Sequence, residues 1–152
     1  MKRWIGVGNE QRGDDGLGLW IARALRSHGL DAIESGGEAA SLMEAWAGAE
    51  EVWLFDALQA ETTPGAILRL EAHERELQGA GRRASSHGFG VVEAIELARA
   101  LGMLPARLHL IGVVGKNFGI GDRPSPEVEA SAAALVEEAL DEALGPRPRA
   151  AS

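Results

Sequence analysis

Two periodicities alternate along this chain, and that alternation restricts the fold more than any other feature of the sequence. Short apolar runs of strand length are separated by stretches whose apolar residues recur at helical spacing, the pattern of a parallel sheet with helical crossovers. Trp4–Val7 reads as a buried strand that breaks at Gly8-Asn9. Leu17, Ile21, Ala24, Leu25 and His28 then share one helical face, with Gly29 placed as the C-cap. A second strand covers Leu30–Glu34, and Ala39, Leu42, Met43 and Trp46 form the apolar face of a short helix. Glu51–Asp56 is a strand ending on an acid, and Ala66–Leu70, behind a Thr-Thr-Pro-Gly turn, is an edge strand. Gly90–Leu101 reads as a helix and Arg107–Val114 as the last strand. Ser125 and Pro126 supply the N-cap and first-turn proline of a final helix, Pro126–Leu144.

These elements predict one α/β domain over residues 1–144, a three-layer α/β/α arrangement with a twisted, mostly parallel five-stranded sheet. Residues 71–86 are expected to form a long surface loop, Gly115–Asp122 a mobile glycine-rich loop, and 145–152 a disordered tail. Trp4, Trp20, Trp46 and Trp53 all fall on predicted strands or core faces, so burial is expected for each.

Composition narrows the function classes. With 45% hydrophobic and 25% charged residues, the chain is neither disordered, collagen-like nor a coiled coil. It has no cysteine, which excludes disulfides, zinc–thiolate sites, iron–sulfur clusters and thiol nucleophiles. The net charge of −8 repels nucleic-acid phosphates and anionic lipid, and the basic residues cluster no more densely than in pairs such as Arg82-Arg83. Neither nucleic acid nor membrane is therefore an expected partner. The N-terminus has no apolar run of signal-peptide length, and no uncharged segment approaches the roughly 20 residues of a membrane span. A cytoplasmic location is expected.

In parallel α/β sheets ligands collect at the carboxyl ends of the strands. Asp15 follows the first strand, Asp56 ends the third, and His87 sits at the start of the helix before the last strand. Two carboxylates and an imidazole suit a borderline divalent ion such as nickel or zinc. Each residue also has a plainer use: an acid favoured by the helix dipole, a turn residue, a helix-capping histidine. Asp14 reads as a general base, a ligand-orienting group or a helix N-cap. Gly6-Val7-Gly8-Asn9-Glu10-Gln11 approaches a dinucleotide-binding G-x-G-x-x-G, but Gln11 stands where the third glycine belongs. Glu34 occupies the ribose-binding position of that motif. A non-catalytic module holding a nucleotide or anion at Gly8-Asn9 is thus the alternative to an enzyme. There is no Walker A lysine and no G-x-S-x-G elbow, and Arg12-Gly13-Asp14 matches an adhesion tripeptide by chance.

Taken in order, the segments resemble the hydrogenase maturation proteases. The resemblance rests on Gly6-Val7-Gly8-Asn9 with Gly13-Asp14-Asp15-Gly16-Leu17-Gly18, then Phe55-Asp56-Ala57 and Thr63-Pro64-Gly65. It continues through Ser86-His87-Gly88-Phe89-Gly90, Leu101-Gly102, Pro105, Leu110-Ile111-Gly112-Val113 and Pro124-Ser125-Pro126-Glu127-Val128, spanning residues 3–144. It implies a twisted sheet between helices and an endopeptidase that trims a short C-terminal extension from the large-subunit precursor of a nickel–iron hydrogenase. Nickel already inserted in that substrate takes part in recognition, with zinc or another divalent ion as an alternative occupant in the isolated protein. The family's metal-contacting residues carry over to Asp15, Asp56 and His87, with Asp14 completing the expected catalytic set. A relative that binds the nickel subunit without cleaving it is a further alternative. The chain departs from the family pattern at Val113-Val114-Gly115-Lys116 and at Glu34-Ser35-Gly36-Gly37. Gly36, Gly37 and the Gly115–Asp122 loop are expected to hold the substrate tail.

Overall fold

Residues 1–74 and 90–145 are described by the computed structural model. Strand β1 (Lys2–Val7) leads through a short 3-10 helix (Gly13–Gly16) into α1 (Leu17–Ser27), β2 (Ala32–Ser35) and α2 (Ala39–Trp46). Then come β3 (Glu51–Leu58), β4 (Ile67–Glu71), α3 (Val91–Ala100), β5 (Arg107–Val114) and α4 (Pro126–Leu144). The sheet runs β2-β1-β3-β5-β4. All neighbours are parallel except the edge strand β4, which is antiparallel to β5. Expected architecture and observed architecture agree.

Strand alternation divides the core. Trp53, Phe55 and Ala57 of β3 face α1 and α4, whereas Val52 and Leu54 face α2 and α3. By the same parity Asp56 points toward the α2/α3 face. At the amino ends of the strands, Trp4 and Trp53 pair in register and stack at 5.1 Å, and His109 stacks on Trp53 at 5.0 Å. Glu51 and Glu71 engage the two ring nitrogens of His109, so this end of the sheet is closed by rings and ion pairs.

Several expectations shift. The structure carries β3 past Asp56 to Leu58, because Ala57 and Leu58 still pair with Val113 and Val114. β2 begins at Ala32 rather than Leu30, because the Leu30 N–H donates back to the Leu25 carbonyl behind Gly29 (φ 89°) in the α1 cap. Trp20 is not buried: it is 50% exposed, since α4 opposes it with Val128, Ala132 and Ala133, side chains too small to cover an indole. Most of the expected 71–86 loop and the tail from 146 onward lie outside the described residues. Among the described residues no helix is long and apolar enough to cross a membrane.

The contact that places the carboxyl end of the strands is backbone against backbone. A Cβ on Gly6 would lie 1.8 Å from the Gly18 carbonyl oxygen. One on Gly18 would lie 2.2 Å from the Val7 oxygen and 2.6 Å from the Phe55 oxygen. Helix α1 therefore rests directly on β1 and β3, with no side chain between. Gly18→Ala should cost about 3 kcal/mol or prevent folding, read as the urea midpoint of the purified variant, because neither strand can yield without breaking its pairing.

Candidate functional site

Where β1 ends, the chain must turn back onto the sheet within a few residues. The Gly8 N–H donates to the Ser35 carbonyl (3.1 Å), the Asn9 N–H to the Asp15 carbonyl (3.0 Å), and the Asn9 side chain accepts from the Gln11 N–H (2.9 Å). A Cβ on Gly8 would stand 2.0 Å from the Asp15 carbonyl oxygen, so the 3-10 helix lies flat on the end of β1. Asp15 is fully buried there, with the Arg12 guanidinium 4.0 Å from its carboxylate. Burying a carboxylate is costly without a nearby cation, and Arg12 offsets that cost. Arg12 also donates to the Phe118 carbonyl at 3.1 Å. Sequence reasoning missed Arg12, whose sole signal was its position one turn before Asp15.

Asp56 is buried in β3, opposite Gly112 of β5. Both acids thus sit at the carboxyl end of the adjacent strands β1 and β3. His87 lies outside the described residues. Among the described residues, no three His, Cys, Asp or Glu side chains gather into a metal-binding group.

Asp14 is buried in a different way. Its carboxylate accepts from the N–H groups of Lys116 (2.8 Å), Asn117 (3.0 Å) and Ser125 (2.6 Å). The Ser125 hydroxyl lies 2.9 and 3.0 Å from its two oxygens. Burial pushes this carboxyl up, but the donated bonds from Asn117, Lys116 and Ser125 outweigh burial and hold it below the ordinary carboxylate range. Ser125 is the N-cap of α4 by backbone, its carbonyl accepting from the Glu129 N–H, but its hydroxyl serves Asp14 and makes no cap bond. The Gly115–Asp122 loop, expected to be mobile, is pinned at several points. The Asp14 N–H donates to the Asn117 carbonyl (2.7 Å) and the Gly121 N–H to the Gln11 carbonyl (2.8 Å), while Gly115 packs 2.8 Å (as Cβ position) from the Asp14 Cβ. At Gly115 glycine serves close approach rather than freedom.

On the other side of the Gly8–Gln11 turn is a cavity of about 350 Å³, lined among others by Asn9, Leu19, Gly36 and Glu38. Glu34, the acid at the ribose-binding position, is committed elsewhere: Arg26 donates to one oxygen at 2.7 Å and Arg23 to the other at 2.9 Å. The Arg26 bond, opposed by partial burial and helped by Arg23, holds its carboxyl below the ordinary range.

The sequence model for the hydrogenase maturation protease family matches residues 21–142. Protein FrxA of Pyrococcus furiosus is 31% identical over 119 residues, 77% of this chain and 86% of that protein. The hydrogenase 2 maturation protease of Escherichia coli is 25% identical over 146 residues, 92% of this chain and 86% of its own. The structure of the nickel–iron hydrogenase maturation protease HybD from Thermococcus kodakarensis superimposes with a TM-score of 0.74 at 27% identity, covering 95% of this chain and 99% of that one.

The Asp14 clamp carries a pH signature. Its folded pKa lies below the unfolded value of about 3.9, so the unfolded chain binds more protons and stability rises with pH through that window. The contribution is complete above the unfolded pKa and lost as pH falls through the folded one. Asp14→Asn should be about 2 kcal/mol less stable at neutral pH. In urea unfolding between about pH 6 and about pH 3 it should lose stability less steeply than the wild-type protein.

Proposed function

Because the chain belongs to the hydrogenase maturation protease family and is a peptidase, we propose that it removes a short C-terminal extension from the nickel-loaded large-subunit precursor of a nickel–iron hydrogenase. The observation that carries this reading is the pair of buried acids, Asp15 and Asp56, at the carboxyl end of two adjacent strands. Oxygen ligands fixed at that end suit a divalent ion presented by the substrate. His87 is the third member in this reading; α3, on the face toward which Asp56 points, begins at Val91, shortly after it in sequence.

Asp15, Asp56 and His87 engage the nickel carried by the substrate and set the register of the peptide bond to be cut. Water is the nucleophile, since the chain has no cysteine and no serine elbow. Its hydroxyl adds to the scissile carbonyl carbon and its proton passes to the leaving nitrogen as the C–N bond breaks. The metal cargo supplies Lewis acidity beside that carbonyl. Asp14 acts as a positioning residue: its carboxylate is occupied by loop donors, and through them it holds Asp15 and the Gly115–Asp122 loop together. Gly36 lines the cavity beside Gly8, with Gly37 next to it in the chain, and that cavity is roomy enough for the substrate tail. The nucleotide-binding alternative is disfavoured by Gln11 at the third glycine position and by the commitment of Glu34 to Arg23 and Arg26.

Intact-mass analysis of a nickel-loaded precursor, with and without this protein, tests the reading. A discrete C-terminal fragment should be lost only when nickel is present. Asp15→Ala, Asp56→Ala and His87→Ala should each lower kcat/KM about 100-fold or more. A stable complex with no change of mass identifies a non-catalytic binder of the nickel subunit.

A further inference from the structure

Away from the acid pair, the described residues form a groove of about 420 Å³ between α1 and α4. Leu17, Val128 and Ala132 form its floor and the half-exposed Trp20 its wall. An indole left in water beside an open apolar trough gives up burial that a neighbouring side chain of ordinary size would have supplied.

The groove ends on Gly13 and Gly16, the two residues that bracket Asp14-Asp15. It therefore borders the end of the sheet where cleavage is proposed. Next to that end stands a second exposed apolar side chain, Ile120, 85% exposed at the tip of a turn. The turn is tied by the Gly119 N–H to the Asp122 carboxylate (2.7 Å) and by the Gly121 N–H to the Gln11 carbonyl. An isoleucine presented on so constrained a turn contributes nothing to the core and is placed to meet another surface.

Charge on the rim narrows the occupant. Glu10 and Glu129 lie along the groove, and the cation that lines it among the described residues, Arg23, is already shared between Glu10 and Glu34 at 2.8–2.9 Å. Glu129 has no ion pair among the described residues. A second copy of this chain, net charge −8, would bring acidic surface to an acidic rim. A segment carrying a bulky apolar side chain with a Lys or Arg beside it complements both floor and rim.

We propose that the α1–α4 groove is a second docking site for the hydrogenase precursor. It takes an apolar side chain of the precursor's folded body against Trp20, with a neighbouring basic side chain against Glu129, while the tail runs to Asp15 and Asp56. This rests on the processing reading of the acid pair and adds where the body of the substrate is held.

The test uses the full chain and the nickel-loaded precursor. Trp20→Ser, and independently the exposed charge reversal Glu129→Lys, should each raise KM about 10-fold or more, the change falling on KM rather than kcat and the melting temperature staying near wild type. An unchanged KM in both variants overturns the docking site. If the wild-type protein binds the precursor without cutting it, the processing reading fails, and the groove is then judged by affinity. A matching loss of binding in Trp20→Ser and Glu129→Lys sustains it, and equal binding, or none by the wild type, overturns it.

Discussion

The arrangement of the acids at the carboxyl end of the sheet depends on one contact: the backbone of α1 lying against the backbones of β1 and β3 at Gly6 and Gly18. A helix normally packs on a sheet through side chains, at roughly 10 Å. Here the carbonyl of Gly18 occupies the space a Cβ on Gly6 would need, and the carbonyls of Val7 and Phe55 occupy the space of a Cβ on Gly18. The helix start is drawn down onto the strand ends, and the acids that precede it are drawn into the protein with it. That is how Asp15, in a connecting segment, comes to be as buried as the core leucines.

A buried carboxylate is tolerated only where donors or cations surround it, and the two acids of the Asp14-Asp15 pair solve this differently. Asp14 gathers backbone N–H groups from the loop after β5 and from the start of α4, turning a charge into a tie between segments far apart in sequence. Asp15 has the Arg12 guanidinium nearby, at a longer distance. Adjacent residues of one type thus acquire distinct characters: one saturated by hydrogen bonds, the other facing the strand ends with a looser cation. At the opposite end of the sheet the Trp4–Trp53–His109 stack closes the strands with rings.

The fold was largely legible from the chain, because strand and helix periodicity is local and each segment carried only one consistent pattern. The edge position of β4 was read from the Thr-Thr-Pro-Gly turn before it, and the sheet order puts it at the edge. Positions of candidate residues were legible where they sat beside a strand end, as with Asp15 and Asp56. Trp20 and the Gly115–Asp122 loop were misread for one shared reason. Whether an indole is covered depends on the size of the side chains α4 sets opposite it, and whether a glycine-rich loop is free depends on what lies within reach of its N–H groups.

Composition, charge and periodicity by themselves determined the α/β class, the order of the elements, the absence of thiol chemistry and the strand-end placement of the acids. Only the tertiary structure decided that Asp14 is a clamp, that the Ser125 hydroxyl serves it instead of capping α4, that Arg12 attends Asp15, and that Glu34 is spent on two arginines. Periodicity is written between neighbours in the chain, whereas the partner of a polar side chain is chosen by the packed fold, which for Asp14 brings in donors 102 to 111 residues away.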